Sequence, residues 1–119
     1  MFTQATFLKL YRTIAILLVL TLFTIGSFPA TGQAFPGNSH WMAHLTTYAL
    51  IALFFGLGWA NARAIFIALM VASIGLLHEL TEIITHSHVF EGDDVIINAT
   101  GGLIGVLILS MIRKFIQKT

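Results

Sequence analysis

Four apolar runs, each about 20 residues long and separated only by short polar turns, limit what this chain can fold into. They cover residues 8–28, 40–59, 64–85 and 94–111. Wound as a helix, a run of about 20 residues rises far enough to cross the ~30 Å hydrocarbon core of a bilayer. The chain has 119 residues, of which 57% are hydrophobic and only 9% charged. So short a domain cannot hide that much apolar surface in a water-facing fold. The expected fold is all-α: a single domain over residues 1–119, built as an integral-membrane four-helix bundle. Lys9 and Arg12 precede a short apolar core at 13–25 and small residues follow it, as in a signal peptide. Its apolar length suits a spanning helix better.

Charge orients the bundle. All six Lys and Arg (Lys9, Arg12, Arg63, Arg113, Lys114 and Lys118) fall near the N-terminus, in the turn between the second and third runs, or in the tail. With four spans these places lie on one side. The positive-inside rule makes that side cytoplasmic, together with both termini, and puts the 1–2 and 3–4 loops outside the plasma (inner) membrane. The five acids and five histidines gather near the opposite, outer end. No basic cluster points to nucleic acid. The expected partners are membrane lipids or a larger membrane protein complex. With no cysteine there is neither a disulfide framework nor a thiolate metal site.

The polar residues concentrate in 78–105. At about 100° per residue, Glu79, Glu82 and His86 share a face of the third helix. Asp94, Asn98, Gly101 and Gly105 share one on the fourth. Counted from the outer end at 1.5 Å per residue, His44, Glu82, His86 and Asp94 form one layer. Tyr48, Asn98 and His78 or Glu79 form another about a turn deeper. Three helices thus line a polar pocket of His44, Tyr48, Glu79, Glu82, Asp94 and Asn98, with the first helix as an apolar buttress.

Each group also has a plainer reading. A charged side chain near mid-bilayer costs roughly 2.5–3.5 kcal/mol on insertion scales, which marks Glu79 and Glu82 as functional candidates. They would equally serve a hydrogen-bond network that locks the bundle. Asp94 can cap the fourth helix and Ser39 the second. Asn98 needs a buried partner, with Glu79 or Tyr48 at the right depth. Gly101 and Gly105 make a GxxxG, which permits close helix packing. No cofactor is required by these patterns. As a secondary reading, the i, i+4 pair His40 and His44, with His86 and His88, outlines a histidine-bound divalent metal set, to which His78, Glu79 and Glu82 add further ligands. No serine (Ser39, Ser73 or Ser87) has a base beside it in the pattern.

The order and spacing of these residues resemble the VanZ-like family of small integral membrane proteins over about residues 40–107. His44 and Tyr48 match its His-x3-Tyr, and Glu79 matches its Glu-x2-Gln. Asp94, Asn98, Gly101 and Gly105 match its Asp-x3-Asn-x2-Gly-x3-Gly. Three positions depart: Glu82 replaces a usual Gln, His88 a usual Arg, and His40 a common Asp. Histidine lacks arginine's bidentate fork, so any anion the family holds there is held differently. The resemblance implies an envelope-related, glycopeptide-resistance-like role, with an outward pocket for a lipid or envelope-precursor headgroup. A structural accessory subunit and a membrane-embedded acid/base or metal-dependent hydrolase are the alternatives.

Overall fold

The computed structural model describes residues 1–30, 34, 37–86 and 89–118. It is all-α, with no strand among the described residues. The four helices are α1 (Gln4–Gly26), α2 (Asn38–Gly58), α3 (Ala64–His86) and α4 (Gly92–Lys118). Each is long and apolar enough to cross a membrane. The bundle is 49 Å long, close to the thickness of a bilayer with its headgroups, about 40–45 Å.

Local signals set the helix ends. The Thr3 hydroxyl accepts from the Thr6 amide at 3.3 Å and caps α1. Before α2 the capping position is Gly37, whose φ of 61° is one that only glycine adopts freely. Ser39 therefore lies inside α2 instead of capping it. At the other end α4 runs on from 111 to Lys118, because its tail has no Gly or Pro and several good helix formers.

Helix directions follow from paired residues. Along α2 and α4 the partners are His40 with Asp94, His44 with Asn98, Leu45 with Gly101 and Gly56 with Leu109. Both numbers rise together, so α2 and α4 are parallel, and they make the most extensive pair in the bundle. Against α3 the pairs are Gly75 with Asn98 and Val71 with Gly102, so α3 and α4 are antiparallel. α1 packs mainly on α2 and touches α3 through Gly26 and His78.

Lipid is as apolar as leucine, so burial of apolar surface does not draw such helices together; close packing and polar contacts do. The α2–α4 seam shows both. A Cβ on Gly101 would stand 2.5 Å from the Leu45 carbonyl oxygen, and one on Gly105 would overlap the Ala49 carbonyl. The buried core, with Tyr48, Ile51, Ala52, Ile67, Val71, Val106 and Leu109, lies along this seam and against α3. Large apolar side chains such as Leu17, Leu20, Leu69, Leu103 and Leu107 point outward, as a lipid-facing belt requires.

Several serine and threonine hydroxyls within the helices are satisfied internally. Thr13, Ser73, Thr81, Thr85, Thr100 and Ser110 each donate to the carbonyl four residues back, at 2.7–3.0 Å. That is how a hydroxyl avoids standing unpaired in hydrocarbon. Arginine does similar work at the basic end. Arg12 Nε donates to the Gly58 carbonyl at 2.8 Å, and its guanidinium lies 5.4 Å from the Trp59 ring centre. Arg113 reaches the carbonyls of Ala62 (2.9 Å), Gly56 (2.8 Å) and Trp59 (3.5 Å). These carbonyls end α2 and form the following turn, where helical partners have run out.

Candidate functional site

At the end opposite the arginines, α2, α3 and α4 bring polar side chains together in two tiers. The outer tier is His40 with Asp94, Nε2 to Oδ2 at 3.2 Å. Asp94 stands in the first turn of α4, where a carboxylate complements the helix dipole. It is 6% exposed, so it is a buried partner of His40, while Asp93 and Glu91 are exposed.

The inner tier centres on His44. Its Nδ1 lies 2.7 Å from Asn98 Oδ1. A carbonyl oxygen only accepts, so the proton of this bond sits on Nδ1 and the lone pair of the ring is on Nε2. Asn98 was expected to meet Glu79 or Tyr48. It meets His44 because α2 and α4 run parallel in a register that sets residue 44 beside 98, one turn below 40 beside 94. Gly75 makes room for this: a Cβ there would stand 2.9 Å from Asn98 Cβ.

Around His44 lie Tyr48, His78 and Glu79, all buried. The His44 ring stacks near Tyr48, with centroids 6.3 Å apart, and its centroid is 5.9 Å from that of His78. His78 is also held edge-on to Phe23, at 5.7 Å and 89°. A Cβ on Gly26 would overlap the His78 ring, so glycine lets α1 close over it. Six buried atoms here have no hydrogen-bond partner among the described residues. They are Tyr48 Oη, both ring nitrogens of His78, both carboxylate oxygens of Glu79, and Asn98 Nδ2. Buried polar atoms are nearly always paired, so this concentration makes the spot the candidate site. Glu82 Oε1 stands 3.7 Å from His78 Nε2, one helical turn on.

An open cavity of about 270 Å³ adjoins the cluster. Leu18, Thr21, Leu22, Ile25 and Gly26 of α1 form one wall; His40, His44, His78 and Glu82 stand on the other side. The first helix is thus part of the site as well as a buttress. Two trios of side chains bring ligand atoms within 4.8 Å of one another: His40, His44 and Asp94, and His44, His78 and Glu79. Of the histidine set expected for a metal, His40 and His44 come together, while the His86 side chain and His88 lie outside what is described. Ser87 does too, and Ser73 is spent on the Leu69 carbonyl.

Sequence reasoning missed Gly26 and Gly75, whose role is to leave room, and Arg12 and Arg113, which it read only as orientation signals. An arginine near an apolar helix end, with glycines closing the neighbouring helix, was the signal available. The chain matches no family model, no curated protein and no solved structure.

Proposed function

We propose that this is a VanZ-like multi-pass protein of the plasma membrane whose outward-facing pocket holds the headgroup of a lipid or a lipid-linked envelope precursor. The form of the cavity carries this reading. One wall is aliphatic and belongs to α1, while imidazoles and a carboxylate stand opposite. An amphiphile has the complementary form, with a chain for the first surface and hydrogen-bonding groups for the second. Its volume is near the lower end for small-molecule sites, roughly 300–1,000 Å³, enough for a headgroup and the start of a chain. His40, His44, His78 and Glu82 supply the polar side, and Tyr48, Glu79, Asp94 and Asn98 stand behind them as the buried polar cluster that a headgroup would draw on.

Native mass spectrometry after mild-detergent purification tests this. The protein should retain about one lipid per chain. Thr21→Trp, which fills the cavity from α1, should lower retention about tenfold, equivalent to ~1.4 kcal/mol. Leu20→Trp, one residue away but 58% exposed and outside the cavity, should leave it unchanged. Equal retention in both variants would remove the cavity from the account. A stoichiometric co-purifying protein with no lipid would favour the accessory-subunit reading.

Orientation has its own test, helped by the absence of native cysteine. A membrane-impermeant maleimide applied to intact cells should label Ser39→Cys and spare Gln117→Cys, both at exposed positions. The reverse pattern would invert the topology and turn the pocket toward the cytoplasm.

A further inference from the structure

We infer that His44, His78 and Glu79 are the protein ligands of a divalent-cation site of the zinc type, set behind the cavity with one coordination position open toward it. The placement comes first: a ring nitrogen of each histidine and a carboxylate oxygen of Glu79 lie within 4.8 Å of one another. Donors bound at about 2.0–2.2 Å around a tetrahedral zinc stand roughly 3.3–3.6 Å apart, so side-chain closure alone completes the trio. Two imidazoles and one carboxylate make a ligand set used where a fourth position is left for water or substrate. His44 and His78 line the cavity and Glu79 does not, which puts the open position on the cavity side.

A second observation is independent of that spacing. Glu79 is 0% and His78 3% exposed, and no side chain among the described residues hydrogen-bonds to either. A buried carboxylate with no side-chain donor is costly in a membrane span, and a cation bound jointly with His78 satisfies both. His44 also carries the kind of outer partner that metal-binding imidazoles use to fix ring and tautomer. Asn98 Oδ1 takes the Nδ1 proton of His44 at 2.7 Å, leaving Nε2 for the metal. Glu82 stands 3.7 Å from Nε2 of His78, beyond hydrogen-bond range, as a nearby carboxylate. With the Glu79 and Glu82 carboxylates together, a divalent ion leaves the cluster without net charge, as a low-dielectric site demands.

The outer trio of His40, His44 and Asp94 competes for His44, but His40 and Asp94 already pair with each other. The inner trio has no such internal partner. This inference stands on the trio's geometry and needs no lipid; its readout is metal, so it can fail while the lipid reading survives.

The purified full-length protein in mild detergent should bind one Zn(II) per chain in a chelator-competition titration. Co(II) bound in its place should give the intense visible absorption of a four-coordinate ion. Asn98→Ala should weaken Zn(II) binding about 10–100-fold as an outer-partner loss, and Glu79→Gln and His78→Asn should weaken it more. His40→Ala should stay within about threefold of the unaltered protein, since His40 is no member of the inner trio. The Co(II) spectrum needs no variant, so a misfolded mutant cannot hide the answer. No stoichiometric Zn(II), or only the weak absorption of six-coordinate Co(II), would overturn the assignment. So would loss of binding in His40→Ala with retention in Glu79→Gln, which would move the ion to the outer trio.

Discussion

Gly105→Leu is expected to pull α2 and α4 apart and lower the stability of the bundle by about 3 kcal/mol or more. Added side-chain atoms in a packed core usually cost about 1–3 kcal/mol, when neighbours can shift. Here the Cβ alone would overlap the Ala49 carbonyl and stand 2.8 Å from the Ala52 Cβ. Backbone of a paired helix cannot turn aside as a side chain does, so the helices must separate along their length. Separation also strains the His44–Asn98 bond higher in the same seam. Pulse proteolysis across an SDS titration measures this as a fall in midpoint. Gly92→Ala is the control: its Cβ would meet only Phe90, at 3.9 Å, and its midpoint should move by less than about 0.5 kcal/mol. An unchanged midpoint for Gly105→Leu would mean that α2 and α4 are not in this close parallel register.

Arg113→Met should be the next most damaging change, at about 3 kcal/mol. The variant keeps a comparable apolar stem and removes the donors that Gly56, Ala62 and Trp59 share. Hydrogen bonds to charged groups contribute about 1.5–3 kcal/mol each, and two of these are short. Water at the helix end offsets part of the loss, which keeps the total below their sum. Arg113→Lys should recover less than half, because a single ammonium cannot span carbonyls on both sides of a turn. The same titration separates the three proteins. If both variants matched the original, the guanidinium would be a surface charge and no part of the fold.

Helix number and approximate position were legible because length and apolar content alone decide them in a bilayer. Polar residues at one end were also legible, since so few occur that their helical spacing stands out. Their pairing was not. Depth counted from helix ends set His44 beside Asp94 and left Asn98 to Glu79 or Tyr48, whereas the parallel register of α2 and α4 shifts each pair by a turn. That register depends on how closely Gly101 and Gly105 let the backbones approach, which a GxxxG permits but does not measure. Ser39 misled because its capping chemistry is right; glycine's positive φ at 37 started the helix earlier. Gly26 and Gly75 were silent because an absent side chain has no pattern of its own.

The parallel pairing of α2 with α4 has a consequence for how the protein is made. Its tightest partners are separated in the chain by the whole of α3, so they cannot meet during synthesis until the last segment emerges. Until then His44 lacks Asn98 and His40 lacks Asp94. Non-local contacts are slow to form and leave intermediates exposed. The α2–α4 seam and the His44–Asn98 pair therefore form together, in one late step, once α4 is in place.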